Sequence, residues 1–179
     1  MTTLETERLI LRRPVMEDGP AAVTYLNDFE MARNLSRIPH PYGIEDWQWF
    51  MRELVEETTE DIFALTDRKT ATFMGIISLQ TDRHEPILGY WLGQPFRRRC
   101  YMGEAAVAFI RYGFKAYDTP SFISGHFKDN PISGRILTFL GFETFAEEDE
   151  TSLARGDEVI RHVTMRLTRE KFEALHPLG

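Results

Sequence analysis

The short stretch ILGYWLG at positions 87–93 constrains the fold more than any other part of this chain. It is apolar almost throughout and too short for a buried helix, so it reads as a strand covered on both faces. The period then changes. Ala106, Phe109, Ile110, Gly113, Phe114 and Tyr117 recur at spacings of three and four, the apolar stripe of an amphipathic helix. A second apolar run, SFISGHF, follows at 121–127. Strand, helix and strand in that order make a crossover, expected to be right-handed, near the centre of a sheet.

The flanking segments supply the remaining layers. RLILRRP is a first strand stopped by Pro14, and MEDGPAAVTYLND follows as a helix with an acidic first turn. NLSRIPHPYG carries Pro39, Pro41 and Gly43 and reads as a loop. IEDWQWFMRELVEE puts Ile44, Trp47, Phe50, Met51 and Leu54 on one helical face. DIFALTD and TFMGIISLQ, separated by the polar RKT, suggest a hairpin. In DNPISGRILTFLGFE, Asn130 stands at an N-cap, Pro131 at the first helical position and Gly141 at the stop. ETFAEE and EVIRHVTMRLT are closing strands, and REKFEALH a last helical turn or two. The order predicts an α+β, or mixed α/β, fold. Nothing resembling a linker or repeat divides residues 1–179, so a single domain is expected.

Composition enters as a set of exclusions. A single cysteine rules out an internal disulfide and points to a reducing compartment. No apolar stretch approaches the roughly 20 residues of a membrane helix, and MTTLETERLILRRP lacks a signal-peptide core. A cytoplasmic protein without membrane contacts is expected. A formal net charge of -7 argues against nucleic-acid binding. The acidic balance suits a cationic partner, and it is equally an ordinary solubility feature. The histidines are scattered, so no metal is expected.

Against that acidic background, PFRRRCYMGEAAVAFIRYGF concentrates Arg97, Arg98 and Arg99 before a helix start. Free N–H groups, the helix dipole and arginines together suit an anion, phosphate above all. A surface basic patch is the plainer alternative.

TERLILRRPVMEDGPA, PHPYGIEDW, MGIISL, LGYWLGQPFRRRCYMGEAAVAFIRYGF and DNPISGRILTFLGFE, in that order, resemble the GCN5-related N-acetyltransferase (GNAT) superfamily. The likeness is to the branch that acetylates the N-termini of ribosomal proteins. It implies a mostly antiparallel seven-stranded sheet that splays between MGIISLQ and ILGYWLG, with acetyl-CoA as co-substrate in the split. The pantetheine arm would pair with the backbone of Trp91, Leu92 and Gly93. The pyrophosphate would rest on the loop of Arg97, Arg98, Arg99, Cys100, Tyr101, Met102 and Gly103. The family pattern there is Arg or Gln, two free positions, Gly, one free position, then Gly or Ala. Cys100 and Met102 depart from it, and a strained loop would weaken cofactor binding.

The resemblance implies direct attack of an amine on the thioester, with no covalent enzyme intermediate. A backbone N–H near Leu79 would polarise the carbonyl. Asn130 and Ser133 match an Asn-x-x-Ser element whose serine would protonate the departing thiolate, although capping alone explains Asn130. Glu85, before the central strand, is a candidate base through water, or a solvated turn residue. Tyr42 and Trp47 would wall the acceptor side, Trp47 doubling as core. The acceptor would be a protein N-terminal α-amine or a small amine. Aminoglycoside acetylation and a non-catalytic acyl-CoA sensor are the alternatives, and a homodimer is a family-level expectation.

Overall fold

The apolar runs become the strands of one open sheet in a computed structural model that describes residues 2–58 and 60–177. The strands are β1 (Leu4–Glu5), β2 (Leu9–Arg12), β3 (Asp61–Asp67), β4 (Phe73–Gln80), β5 (Ile87–Leu92), β6 (Ser121–Phe127), β7 (Glu143–Thr151) and β8 (Val159–Thr168). Their order across the sheet is β1-β2-β3-β4-β5-β6-β8-β7. Seven match the runs read from sequence. The eighth, β1, is a two-residue strand paired with β2. Every neighbouring pair is antiparallel except β5 and β6.

Helices cover both faces. α1 (Gly19–Leu26), α2 (Phe29–Ala32) and α3 (Ile44–Phe50), which widens into a π-helical stretch over Met51–Glu56, precede β3. α4 (Tyr101–Ala116) joins β5 to β6, α5 (Pro131–Leu140) joins β6 to β7, and α6 (Arg169–Leu175) follows β8. Phe109, Ile110, Phe122, Leu137, Leu140 and Phe172 fill one core beneath α4, α5 and α6. Ala22, Leu26, Trp47, Ile76 and Trp91 fill another beneath α1–α3. The strand β5 serves both. Leu88, Tyr90 and Leu92 pack into the first core and Trp91 into the second, the alternation a pleated strand imposes. No helix among the described residues is long and apolar enough to cross a membrane.

The start of α4 is pinned from a distance. Glu104 accepts bonds from the Thr6 hydroxyl at 2.5 Å, the Arg8 N–H at 2.8 Å and the Arg8 Nε at 2.6 Å. These ties fix the helix entrance to the turn between β1 and β2. Burial alone would raise the Glu104 pKa, but the Thr6 and Arg8 bonds prevail and hold it below the usual carboxylate range.

The split lies one strand further along than the sequence suggests. β4 and β5 pair without interruption from Gly75↔Leu92 to Gln80↔Ile87, so MGIISLQ and ILGYWLG do not part. β5 and β6 share a single registered pair, Ile87↔Ile123, and then diverge. The physical reason is connectivity. β4 and β5 are hairpin neighbours and close their ladder locally, whereas β5 and β6 are joined only through α4, and parallel pairing is the weaker kind.

Gly75 permits the tight β4–β5 approach: a Cβ there would sit 2.2 Å from the Trp91 carbonyl oxygen. Gly75→Ala should therefore lower unfolding stability by about 2 to 3 kcal/mol, since backbone cannot yield as a side chain can. A urea titration comparing midpoints at equal slope checks this, and an unchanged midpoint contradicts it.

Candidate active site

The divergence leaves strand backbone without a strand partner. The Ile123 N–H donates to the Pro86 carbonyl at 3.0 Å, and the Gly93 N–H donates to the Met74 carbonyl at 2.8 Å. That phase turns Trp91 and Gly93 toward β4, and turns Leu88, Tyr90 and Leu92 toward the gap. The Leu88 carbonyl is taken by the Ser124 hydroxyl at 2.8 Å, and the Leu92 carbonyl by Arg97 Nε at 3.1 Å. The Tyr90 N–H and carbonyl and the Leu92 N–H have no protein partner among the described residues. Of the expected backbone contacts Trp91, Leu92 and Gly93, only Leu92 faces the gap. Tyr90, which the sequence reading passed over, is its companion.

Leu79 is corrected by the same geometry. It stands in β4 opposite both Asp61 and Leu88, with its side chain fully buried, so its N–H belongs to the sheet. Around the gap opens a cleft of about 2380 Å³. Pockets for one small ligand run to roughly 300–1,000 Å³, so this one has room for two substrates.

At the end of β5 the chain turns sharply into α4. Arg98 has φ 62° and Cys100, the N-cap, has φ 60°. Both occupy the left-handed region that glycine adopts freely. The first helical bond runs from the Glu104 N–H to the Cys100 carbonyl at 3.1 Å. The N–H groups of Tyr101, Met102 and Gly103 therefore point out of the helix end, and Arg98 and Arg99, just before it in the chain, are exposed. Such an arc of donors at a helix start suits a phosphate. Met102 does not obstruct it, because its side chain is buried in the core beneath α4. Arg97 behaves differently from its neighbours. Its guanidinium turns inward to the Leu92 carbonyl and the Met31 sulfur, the latter at 3.1 Å, and burial lowers its pKa. It braces the loop rather than facing a ligand.

Across the gap, α5 starts at the same opening. The Asn130 side chain caps it by accepting the Ser133 N–H at 3.4 Å. Ser133 Oγ is 2.8 Å from the Tyr90 hydroxyl, which also reaches the Ser133 carbonyl at 3.4 Å. Burial pushes the Tyr90 hydroxyl up to about 12, against a small opposing effect of the Ser133 bond, so it stays protonated. A signal for this pair was present. A tyrosine in the middle of a doubly covered strand needs a partner for its hydroxyl.

Split sheet, donor-rich loop and paired hydroxyls meet in one cleft, and the family model of an acetyltransferase (GNAT) domain matches residues 8–143. The chain belongs to the GNAT acetyltransferase family. Such an enzyme works with acetyl-CoA. The chain is 25% identical over 177 residues to an uncharacterized N-acetyltransferase p20 of Bacillus licheniformis, covering 95% of this chain and 98% of that one. Among solved structures, it superposes on a ribosomal-protein-S5-alanine acetyltransferase from Vibrio fischeri with TM-score 0.79 at 20% identity, over 96% of this chain and 99% of that one. It superposes on a spermidine N-acetyltransferase from Vibrio cholerae, solved with CoA and spermine, with TM-score 0.79 at 13% identity, over 93% and 99%. At these identities the two structures establish likeness of fold.

In this acetyltransferase Glu85 is not in the cleft. It forms a two-pronged ion pair with Arg166, at 2.7 and 2.8 Å, and accepts the Ser121 hydroxyl at 2.5 Å. Burial would raise its pKa, but the Ser121 and Arg166 bonds together lower it, so it is a poor base. Trp47 is likewise withdrawn: it is 1% exposed and packs on Gly19 and the ring of Phe73. Tyr42 does line the cleft, buried, with its hydroxyl pKa pushed up by burial. Trp49, half exposed, is the tryptophan at the opening. On the far wall, the segment between β7 and β8 is tied to the loop after α2. Leu153 N–H donates to the Ser36 carbonyl at 3.1 Å and Ser152 Oγ to the Leu35 carbonyl at 2.8 Å. Arg155 adds a forked bond to Asp129 at 2.8 and 2.9 Å.

Two outcomes follow from these positions. A depressed carboxylate pKa contributes stability above the ordinary glutamate range and loses it as pH falls through the folded value. Glu85→Gln should thus cost at most about 1 kcal/mol at neutral pH, since Arg166 is solvent-exposed, with the gap to wild type closing in acid. Chemical denaturation at several pH values reads this. Cys100→Gly should stabilise the fold by about 0.5 to 1 kcal/mol, the left-handed strain relieved less the unfolded-state entropy of glycine. Because the chain already holds that conformation, the gain should appear in the melting midpoint, with acetyl-CoA affinity by calorimetry nearly unchanged. A variant no more stable than wild type would contradict it.

Proposed function

We propose that this acetyltransferase transfers the acetyl group directly to a primary amine, a protein N-terminal α-amine first and a small amine second. The observation that carries the reading is the Tyr90–Ser133 hydroxyl pair beside the free edge of β5. A pantetheine arm laid along that edge finds the Tyr90 carbonyl and the Leu92 N–H, main-chain recognition of the β-augmentation kind, which leaves the Tyr90 N–H for the acetyl group. Its diphosphate then falls beside the N–H groups of Tyr101, Met102 and Gly103, with Arg98 and Arg99 adding charge-assisted bonds.

The chemistry needs three things from the protein. Holding both reactants in one cleft supplies proximity. The Tyr90 N–H, aimed into the gap, takes over the carbonyl-polarising role first considered for Leu79. The amine nitrogen bonds to the acetyl carbon, the carbon–sulfur bond breaks, and its electron pair stays on sulfur. Ser133 Oγ–H gives a proton to that sulfur, the Tyr90 hydroxyl passes its own to Ser133, and water in the open cleft returns a proton to Tyr90, whose raised pKa keeps it protonated. Asn130 acts by holding the start of α5.

An α-amine ionises near 7.7–8.0 and lysine near 10.4, so the former needs less help to lose its proton. The name of the Vibrio fischeri neighbour supports an N-terminal acceptor. The small-amine reading draws on the Vibrio cholerae neighbour's spermidine and on Glu148 and Glu150 in the cleft wall.

A thiol-release assay with acetyl-CoA over N-terminal peptides, polyamines and aminoglycosides tests the proposal. Turnover is expected, fastest with peptides. Tyr90→Phe should lower kcat by about 10- to 100-fold, the lower reach of general acid catalysis, with acetyl-CoA binding preserved by calorimetry. Failure to bind acetyl-CoA at millimolar concentration, or binding without turnover of any amine, would overturn it.

A further inference from the structure

With Glu85 held by Arg166, the proton lost by the acceptor amine has no destination among the residues described so far. The far wall of the cleft offers one. β8 pairs with β6 so that Phe127 lies opposite His162, and with β7 so that Glu148 lies opposite His162. Alternation then puts His162, Thr164, Glu148 and Glu150 on one face of the sheet. All four line the cleft.

Gly125, two residues past the point where β6 leaves β5, is what lets the imidazole approach. A Cβ at Gly125 would stand 2.3 Å from His162 Cε1 and 2.7 Å from Nε2, so the ring lies directly on bare backbone beside the gap. The His162 side chain is 16% exposed, and its Nε2 is 3.7 Å from Glu150 Oε2. That carboxylate oxygen is buried and accepts no hydrogen bond among the described residues. The separation is too long for a hydrogen bond, and an N–H donor entering between the two atoms would meet an acceptor on each side. Thr164 Oγ1 donates to Glu148 Oε1 at 3.1 Å and lies 3.5 Å from His162 Nδ1. With its proton so directed, the threonine oxygen faces Nδ1 as an acceptor, which leaves the Nε2 lone pair toward Glu150 and the cleft.

We propose that His162, oriented over Gly125 and paired with Glu150, accepts the proton of the acceptor amine. The inference rests on the acetyl-transfer reading. The step balances: an N–H bond of the acceptor's ammonium form breaks, an Nε2–H bond forms, and the electron pair left on the now neutral nitrogen attacks the acetyl carbon. The imidazolium that results faces Glu150, which stabilises it. The charged and titratable groups around the ring are Glu148 and Glu150 on β7 and His126 on β6. Arg155 lies beyond, its guanidinium over the Phe127 ring whose edge meets His162. Burial draws the His162 pKa below its ordinary 6.5, with the two glutamates pulling it up and His126 down. The ring is accordingly neutral, and able to accept, at neutral pH.

The test uses the full chain and whichever amine of the peptide, polyamine and aminoglycoside panel the wild type acetylates. His162→Gln should lower kcat at pH 7 by about a hundredfold, within the range for a lost general base, and remove the acid limb of the kcat–pH profile. Glu150→Gln is the second variant, useful should the first fold poorly. It removes an anion that favours the imidazolium, so the acid limb should move to lower pH, a shift that a purely structural role would not produce. Melting midpoints and acetyl-CoA calorimetry are taken on both. A His162→Gln enzyme within about threefold of wild type, a retained acid limb, or an unmoved limb in Glu150→Gln overturns the assignment while leaving acetyl transfer intact. A wild type that acetylates no amine overturns both.

Discussion

One missing ladder governs this molecule. β5 and β6 exchange a single registered pair and then separate in the middle of an otherwise continuous sheet. Interior backbone groups are ordinarily all paired, and leaving one unsatisfied when buried costs about 1–3 kcal/mol. The protein reduces that cost locally. Ser124 takes the Leu88 carbonyl and Arg97 the Leu92 carbonyl, one at each end of the opening. Between them the main chain of Tyr90 is left for something else to satisfy. In the proposed reading an extended polar chain, the pantetheine arm, would restore there what the sheet gave up.

Holding two strands apart requires walls that do not relax. β3, β4 and β5 are packed on both faces, by the core under α4, α5 and α6 and by the core under α1–α3, and β6 and β8 are packed on one, by the first of these. Close packing makes such walls stiff. Glu104 fixes the entrance of α4 to the N-terminal turn, and Arg155, with Ser152 and Leu153, fixes the far wall to the loop after α2. The left-handed Arg98 and Cys100 belong to the same set of constraints. Their strain is sustained by the inward guanidinium of Arg97 on one side and the anchored helix on the other.

Local pattern in the sequence was enough for the elements, and for the parts of the site made by neighbours in the chain. The helix after the arginines and the Asn130–Pro131 cap could both be read from spacing and residue type. What escaped depended on pairing across distance. Nothing in the residues of β4, β5 and β6 marks which interface opens, since all three runs are apolar and equally able to pair. That error carried Leu79 with it. Glu85 looked free because its partner, Arg166, lies on a strand that only the completed sheet brings alongside. Arg97 looked like its two neighbours because sequence does not tell which guanidinium turns inward. His162 and Glu150 sit on different strands, and their meeting is a matter of register.

Register also explains how an acidic protein can present a basic seat. The formal charge of -7 describes the whole surface, but exposed charges act over roughly a Debye length, about 8–10 Å at ordinary salt. Within that range local charge, not the total, decides what a wall of the cleft attracts. Arg98 lines the cleft on the β5 side before α4, with the exposed Arg99 next to it in the chain, and Glu148 and Glu150 line it on the β6 side beyond β8. In the proposed reaction a diphosphate and a cationic amine entering the same cleft would be drawn to different walls, which would set the thioester and the nitrogen facing each other across the split. The polarity comes from the sheet: β5 ends at the arginines, and the pairing of β6, β8 and β7 brings the glutamates round to the opposite wall.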